Sequence, residues 1–341
     1  MIVGTFFIAL SILIFIVMGG SNAADFNSTA ATWTKVEGVP PSHYVNVVTD
    51  SSGKTIATLS RDAGELYTGF YLSQDAGKTW SNIFIDGCAM GPAWTAIAMN
   101  TYGTAFYILQ ENIGIYSSWN TGKSWTRTTI DPKLTYAGYN GVAAADTNYV
   151  YVTLPYGGIY YSSNNAYSFS KSNAPTTEWW MGITSSKTGQ YVIAYSHNMY
   201  FSNNYGVTWS KASAPAQNWF TAHYSYGGMV VVAAAETGGD FTYGGLYYSI
   251  DSGKTWITLT GADPNQPWRA VTTDYTGTFI AAAIEGGAVY YSNNSGKSFV
   301  KSSTAPEGET WSGISCDQYA TAFALVSYGS NGHVYVSSNG I

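Results

Sequence analysis

Two kinds of side chain recur at similar intervals along this sequence, carboxylates and indoles. The glutamates are Glu65, Glu111, Glu236 and Glu285, and the tryptophans are Trp94, Trp179, Trp219, Trp268 and Trp311. Two facing carboxylates can serve as acid and as base or nucleophile in glycoside hydrolysis. Indole faces can stack on sugar rings in a preformed concave site. The two sets predict a carbohydrate site if the fold brings them to one surface.

Three further side chains are candidates for ligand binding: Arg61, Arg269 and His197. His197 has no second His or Cys at ligand spacing, so no metal site is predicted. The sequence contains no nucleophile elbow, phosphate-binding loop, zinc motif or dinucleotide fingerprint. No cofactor is therefore expected.

The composition favours β structure and narrows the range of partners. Aromatic residues make up 16% of the chain and there are 37 glycines, which suits strands joined by tight turns. The net charge is −6 and the 14 Lys and Arg residues form no basic cluster, which excludes a nucleic-acid partner. Cys88 and Cys316 are far apart in the sequence, and two free thiols are predicted.

One short motif, S-x-[DN]-x-G-x-[ST]-[WF], repeats along the chain and is called the clasp below. Clasps begin at Ser73, Ser118, Ser162, Ser202, Ser249 and Ser292, and a shortened seventh begins at Ser337. Their starts are 40 to 47 residues apart, the period of a four-stranded propeller blade. In each clasp the Asp or Asn can accept backbone hydrogen bonds across a turn, and Gly tolerates a positive φ. This indicates a structural hairpin turn rather than a catalytic group.

The strands around each clasp predict the architecture. An aromatic strand precedes the clasp, and two further strands lie upstream, so each repeat has strands a to d with the clasp between c and d. The seventh clasp stops at Ile341, and Thr32-Trp33 matches the missing Thr-Trp. We therefore predict an all-β, seven-bladed propeller of four-stranded antiparallel blades over residues 24–341. Its ring is closed by the N-terminal strand, and the chain then holds seven complete blades.

Alternating strands place the connecting loops on two opposite faces. The clasps and a–b turns share one face, and the d–a and b–c loops share the other. The tryptophans begin strand a and the glutamates lie in b–c loops, so both sets are expected on that second face. Two alternatives remain open: the tryptophans pack between blades, and the carboxylates are ordinary solvated loop residues.

The clasp motif resembles that of the Asp-box (BNR) propellers of the sialidase-like superfamily. That group includes sialidases, sortilin-type receptors, several glycoside hydrolases and photosystem II assembly factors. The resemblance implies that a ligand binds at the second face. Sialidases use an arginine triad and an Arg-Ile-Pro motif, where this chain has His43-Tyr44-Val45 and only Arg61 and Arg269 suitably placed. Standard sialidase activity is therefore not expected.

The N-terminus predicts the compartment. Residues 2–18 are almost entirely apolar, and Ser21-Asn22-Ala23 offers a small-residue cleavage site. Residues 1–23 are thus either a signal peptide or an uncleaved membrane anchor, although no Lys or Arg precedes the apolar run. Both alternatives place residues 24–341 outside the cytosol, secreted or membrane-anchored, and a monomer is expected.

Three functions remain in view from the sequence. The first is recognition of a glycan or glycoprotein ligand, with neutral sugars preferred because the face is acidic. The second is a glycoside hydrolase that uses facing carboxylates at the propeller mouth. The third is a non-enzymatic protein-interaction scaffold, because a fold does not dictate a function.

Overall fold

The computed structural model describes residues 31–61, 69–88, 93–130, 140–236 and 244–337. The described residues form 28 strands in seven four-stranded antiparallel sheets. Within these ranges, no helix is long and apolar enough to cross a bilayer. The predicted seven-bladed, all-β architecture is confirmed.

Each blade takes four strands, named here in the order a to d. Blade 1 comprises β2 (Tyr44–Thr49), β3 (Ile56–Ser60), β4 (Phe70–Ser73) and β5 (Ser81–Asn82). Blade 2 comprises β6 (Trp94–Met99), β7 (Phe106–Gln110), β8 (Gly114–Ser118) and β9 (Thr126–Thr128). Blade 3 comprises β10 (Gly141–Ala144), β11 (Val150–Leu154), β12 (Gly158–Ser162) and β13 (Ser170–Lys171). Blade 4 comprises β14 (Gly182–Ser185), β15 (Val192–Tyr195), β16 (Met199–Ser202) and β17 (Ser210–Lys211).

The remaining blades follow the same order. Blade 5 comprises β18 (Asn218–Tyr224), β19 (Val231–Glu236), β20 (Gly245–Ser249) and β21 (Ile257–Thr258). Blade 6 comprises β22 (Trp268–Thr273), β23 (Ile280–Ile284), β24 (Val289–Ser292) and β25 (Val300–Lys301). Blade 7 comprises β26 (Trp311–Cys316), β27 (Phe323–Ser327), β28 (Val334–Ser337) and, as its strand d, β1 (Thr34–Lys35).

Blade 7 is built from both ends of the chain. Strand β1 pairs antiparallel with β28, with Thr34 opposite Val336. The preceding Trp33 is buried, and its indole N–H donates a 2.7 Å hydrogen bond to the Tyr291 hydroxyl of blade 6. Closure by the N-terminal strand is thus confirmed, and β28 has a partner strand on both sides.

The clasps are hairpin turns. In the fifth clasp the Asp251 carboxylate accepts hydrogen bonds from the Thr255 backbone N–H at 2.9 Å and from its hydroxyl at 2.8 Å. Gly253 has φ +88°, and a Cβ there would lie 2.0 Å from Ile193 of the neighbouring blade. The glycine is therefore needed both for its backbone conformation and for blade packing.

The two faces expected from strand alternation are present. On one, which we call the clasp face, each clasp bonds the a–b turn of its own blade, as in Ala76 N–H to Lys54 O at 2.9 Å. On the other, which we call the mouth face, b–c loops bond d–a loops, as in Glu111 N–H to Ala93 O at 2.9 Å. Cys316 is buried and Cys88 half-buried, and both are free thiols, as predicted.

Candidate functional site

The seven a strands surround a central channel of about 360 Å³. At its clasp end, Tyr226 of the blade 5 a–b turn reaches across the channel. Its hydroxyl lies 3.2 Å from both the Thr49 carbonyl of blade 1 and the Cys316 carbonyl of blade 7. Because Tyr226 crosses this end, the channel is a well that faces the mouth.

Neutral polar groups dominate the wall of the well. Asn46, Thr95, Asn140 and Ser312 supply amides and hydroxyls beside the apolar Met181 and Phe220; this set lines the upper and middle wall. Of the described residues that line the well, Lys187 alone carries a permanent charge. Such a lining suits a neutral ligand with many hydroxyl groups.

His223 is a well residue that the sequence did not single out. Its Nδ1 atom is buried and finds no hydrogen-bond partner among the described residues. Burial lowers the pKa of His223 to about 4, so the imidazole is neutral at physiological pH. A neutral imidazole has one donor and one acceptor nitrogen, which matches a hydroxyl group. No sequence pattern marked it, because strand a carries channel-facing residues in every blade.

Four of the five predicted tryptophans lie in the core rather than open at the mouth. Trp94, Trp219, Trp268 and Trp311 have at most 1% exposed surface. Each packs edge-on against a strand-c tyrosine of its own blade, and the pairs are Trp94–Tyr116, Trp219–Tyr247, Trp268–Tyr290 and Trp311–Tyr335 at 4.7 to 5.7 Å. Their predicted role as stacking residues for a ligand does not fit this burial. A position repeated in many blades has a repeated packing role.

Trp179 differs from this set. In blade 4 the buried position belongs to Trp180, which packs against Tyr200 at 5.2 Å. Trp179 itself is 49% exposed on the mouth face. Its ring lies edge-on to Tyr156 of the blade 3 b–c loop, with ring centroids 5.1 Å apart. Tyr156 is 62% exposed, so the pair offers ring faces to solvent beside Met181 of the well.

Three predicted charged residues meet between blades 5 and 6. The Arg269 guanidinium donates to both Glu236 oxygens at 3.0 and 3.1 Å, and its Nε donates to Glu285 at 2.7 Å. Arg269 Nη2 also contacts Glu285. The Cζ atom lies 4.4 Å from the ring centroid of Phe220, so the guanidinium also rests on an aromatic face.

This arrangement limits the chemistry of the two glutamates. Hydrolysis requires the glycosidic bond to lie between the two carboxylates. Here Arg269 fills that space and forms hydrogen bonds with both Glu236 and Glu285. In this conformation the cluster is an ion-pair network at the mouth, with hydrogen-bonding capacity only at its exposed edges.

The other predicted residues are spread around the mouth. Glu65 lies outside the described residues. Arg61 follows β3 in blade 1, Glu111 follows β7 in blade 2, and His197 lies in the b–c loop of blade 4. None of these three belongs to the Arg269 cluster, which lies between blades 5 and 6.

Two further glutamates of the mouth were missed by the sequence analysis. Glu178 accepts a 2.9 Å hydrogen bond from the Tyr200 hydroxyl, and Glu309 accepts one of 2.8 Å from the Tyr335 hydroxyl. Each precedes by two residues a buried tryptophan at or just before strand a, and that spacing was the available signal. Burial and the Glu178 contact raise the pKa of Tyr200 to about 12. Both carboxylates thus anchor strand-c tyrosines.

The mouth is acidic overall. The described d–a and b–c loops and adjoining strand ends carry nine carboxylates, Glu37, Asp86, Glu111, Glu178, Glu236, Asp263, Glu285, Glu307 and Glu309. The same described segments carry six cations, namely Arg61, Arg269 and the strand-d lysines Lys35, Lys171, Lys211 and Lys301, so negative charges exceed positive ones by three. This excess of negative charge disfavours anionic ligands.

Solved structures similar to this chain are seven-bladed β-propellers. YCF48 from Cyanidioschyzon merolae matches with a TM-score of 0.69 at 13% identity, over 90% of this chain and 99% of that one. YCF48 bound to D1 peptide gives a TM-score of 0.67 at 11% identity, over 91% and 97% of the two chains. The GH74 enzyme of Niastella koreensis gives 0.68 at 14% identity, and this chain spans 53% of its length while 91% of this chain is covered.

The sequence matches no protein-family profile, and no curated protein matches it. Each of these three structures shares 14% sequence identity or less with this chain, so the likeness shows the fold alone.

Proposed function

We propose that this chain is an extracytoplasmic carbohydrate-recognising propeller of the Asp-box type, which binds neutral glycans at its mouth. The observation that carries the proposal is the exposed Trp179–Tyr156 pair beside a well lined with neutral polar groups. The apolar residues 2–18 support a location outside the cytosol, whether that segment is a signal peptide or an anchor.

The aromatic pair supplies the stacking surface. Large aromatic side chains are normally buried, and this fold buries a tryptophan at the next position, Trp180. Trp179 has no such packing role, and its counterparts one residue before the strand-a aromatic in other blades are His43, Ala93, Asn218, Pro267 and Thr310. An exposed indole that the repeat does not require is therefore available to a ligand.

The well supplies hydrogen bonds. Asn46 and Asn140 near the mouth and the neutral His223 deeper in the well supply side-chain hydrogen-bonding groups for sugar hydroxyls. A volume of about 360 Å³ lies at the small end of the range for ligand pockets. Because Tyr226 crosses the far end, a chain end enters the well more readily than a chain middle.

The hydrogen-bond partners of the mouth carboxylates favour binding over hydrolysis. Glu236 and Glu285 enclose Arg269, while Glu178 and Glu309 bind tyrosine hydroxyls. The likeness to GH74 enzymes keeps hydrolysis as the alternative to be tested. It would require a carboxylate pair with an open gap, which this group of four lacks.

The test is a glycan array probed with the full chain and with matched single variants. Trp179→Ala is expected to weaken binding of a neutral glycan roughly five- to several-hundredfold, since a stacking anchor contributes about 1–4 kcal/mol. Tyr102→Ala is the control, because Tyr102 is a similarly exposed aromatic on the clasp face. The proposal is contradicted if Trp179→Ala and Tyr156→Ala leave binding unchanged. It is also contradicted if the protein binds no glycan on the array.

The same glycan, once found, distinguishes binding from turnover. If Glu111→Gln or Glu285→Gln abolished cleavage while affinity was kept, the protein would be a hydrolase. We expect no cleavage by the unmodified chain and only a modest change of affinity in either variant.

A further inference from the structure

The clasps provide an internal comparison that points to a second functional surface. Their second, fourth and sixth positions vary in residue type; the sixth is exposed in clasps 2 to 5, while the half-buried Trp119 at a second position also packs against the core. In clasps 1 and 6 these positions are small or polar, namely Gln74, Ala76 and Lys78, and Asn293, Ser295 and Lys297. In clasps 2 to 5 large apolar residues enter the same positions: Trp119, Tyr167, Tyr205, Val207 and Ile250. We call these five residues the apolar arc.

The turn itself does not require the apolar arc. In all six clasps the first serine accepts a hydrogen bond from the backbone N–H of the fifth residue, at 2.8 to 3.0 Å. The geometry is the same whether the sixth position is Lys78 or Tyr167. The arc therefore reflects something other than clasp formation.

Four of the five arc residues are exposed, and one of these, Tyr205, has an unfavourable backbone conformation. Ile250 is 66% exposed and Tyr167 is 60% exposed. Tyr205 has φ +62°, a left-handed conformation that is unfavourable for a bulky side chain. Its ring stacks on Tyr149 at 4.6 Å, and the Tyr167 ring stacks on Trp119 at 4.9 Å. The rings thus form ordered pairs across neighbouring blades.

The charges of the clasp face differ from those of the mouth. Its described turns carry six lysines, Lys54, Lys78, Lys123, Lys187, Lys254 and Lys297. They carry six aspartates, Asp50, Asp75, Asp146, Asp251, Asp274 and Asp317, which equals the number of lysines. A negatively charged surface would repel the acidic mouth but not this balanced face.

The N-terminal segment reaches the domain on this same face. Ala31-Thr32-Trp33 occupies the positions that Lys254-Thr255-Trp256 holds in clasp 5. The Ala31 carbonyl accepts a hydrogen bond from Thr304, as the Lys254 carbonyl accepts one from Ser213 at 2.8 Å. Residues 19–30 can extend about 40 Å at most, and residues 2–18 before them are apolar and near bilayer-spanning length.

We propose that the clasp face docks on a lipid bilayer through the apolar arc of blades 2 to 5, on the same face as the point where the N-terminal segment joins blade 7. Tyr and Trp are the residues enriched at membrane–water interfaces. Lysines beside them reach phosphate headgroups, and their methylene stems cover apolar surface. This orientation leaves the mouth pointing away from the membrane, open to a ligand. It extends the proposed function without depending on the nature of the ligand.

The test places an environment-sensitive fluorophore on single cysteines of the full chain. The chain is purified in detergent with residues 1–30 retained and reconstituted into phosphatidylcholine–phosphatidylglycerol vesicles, in a Cys88→Ser background. Ser163→Cys reports on clasp 3 beside the arc, Asn293→Cys on the equivalent position of clasp 6, and Thr177→Cys on the mouth. All three positions are exposed.

We expect a several-fold rise in emission at position 163, with quenching by spin-labelled headgroups, and no change at position 177. Position 293 should respond less than position 163. The double variant Tyr167→Lys, Val207→Lys should abolish the response at 163. That variant restores the lysine found in clasps 1, 2, 5 and 6, so it is compatible with the fold.

Three results would overturn the proposal. One is equal emission at position 163 in vesicles and in buffer-exposed controls. Another is a larger response at 177 than at 163. The third is a response at 163 that depends on protein concentration and persists in detergent, which would indicate a second copy of the chain on the arc. None of these outcomes bears on glycan binding by Trp179, so the two proposals fail separately.

Discussion

The mouth face and the clasp face both carry many aromatic residues, but they use them differently. At the mouth most are buried: in blades 1, 2, 4, 5, 6 and 7 a strand-a aromatic packs edge-on against a strand-c tyrosine. On the clasp face the large apolar residues of clasps 2 to 5 are not repeated in clasps 1 and 6. The comparison teaches that repeated positions build the ring, whereas departures from the repeat, such as Trp179 and Tyr167, are available for function.

The largest loss of stability is expected in blade 7, which is completed by the N-terminal strand β1. A chain beginning at residue 37 lacks Trp33 and strand β1, so β28 loses its outer partner and Tyr291 loses the hydrogen bond from the Trp33 indole. We expect this chain to lose cooperative unfolding or to melt far below a chain beginning at residue 31. Circular dichroism during heating measures the difference. Equal melting temperatures would show that blade 7 does not need its N-terminal strand.

Adjacent tryptophans give the next largest contrast. Trp180→Ala empties a fully buried site and removes the indole hydrogen bond to the Pro175 carbonyl, so we expect a loss of about 3–5 kcal/mol in unfolding free energy. Trp179→Ala removes a half-exposed ring and should cost less than about 0.5 kcal/mol. Denaturant unfolding of both variants tests this. Similar losses would mean that Trp179 is a packing residue.

These two tryptophans also show how far sequence reasoning reaches. The clasp period, the glycine positions and the Thr-Trp match were enough to predict seven blades and their closure, because turn chemistry and blade period are local. They did not show which of Trp179 and Trp180 enters the core, since this depends on the register of β14 against its neighbours. The Arg269 cluster escaped prediction for a similar reason. Arg269 lies in β22 and Glu285 directly follows the neighbouring strand β23 of blade 6, whereas Glu236 ends a strand of blade 5. The cluster therefore depends on strand pairing and on the packing of two blades, which are not local in sequence.

The well and the clasp face should also differ in their response to acid. In the well, His223 has a pKa of about 4, below the ordinary 6.5, so the unfolded chain takes up its proton first as pH falls. The stability it contributes is complete above pH 6.5 and is lost towards pH 4, by at most about 3 kcal/mol. At the clasp face, Thr79 hydrogen bonds lower the pKa of Asp75 to about 2, so its contribution persists above pH 3.8 and is lost towards pH 2.

Unfolding free energies of the full chain and of His223→Gln, measured from pH 7 to pH 4, isolate the histidine. The unmodified chain should lose stability more steeply than the variant between pH 6.5 and 4. Asp75→Asn is the matched control, and its curve should parallel the unmodified chain over that interval. Parallel curves for His223→Gln and the unmodified chain would show that the imidazole is not held neutral in the well.

The smallest effect is expected within a single clasp, and it tests whether clasps are interchangeable parts of the ring. Asp251→Ala leaves the Thr255 N–H without its acceptor and should cost about 1–2 kcal/mol. Asp251→Asn should be close to neutral, because four clasps already carry Asn in this position. In one of them the Asn204 side chain accepts from the Thr208 N–H at 3.0 Å and donates to its hydroxyl at 2.8 Å. Thermal unfolding of both variants, with glycan binding measured alongside, gives the comparison. A loss of binding without a loss of stability in Asp251→Ala would place the ligand on the clasp face and reverse the roles assigned here to the two faces.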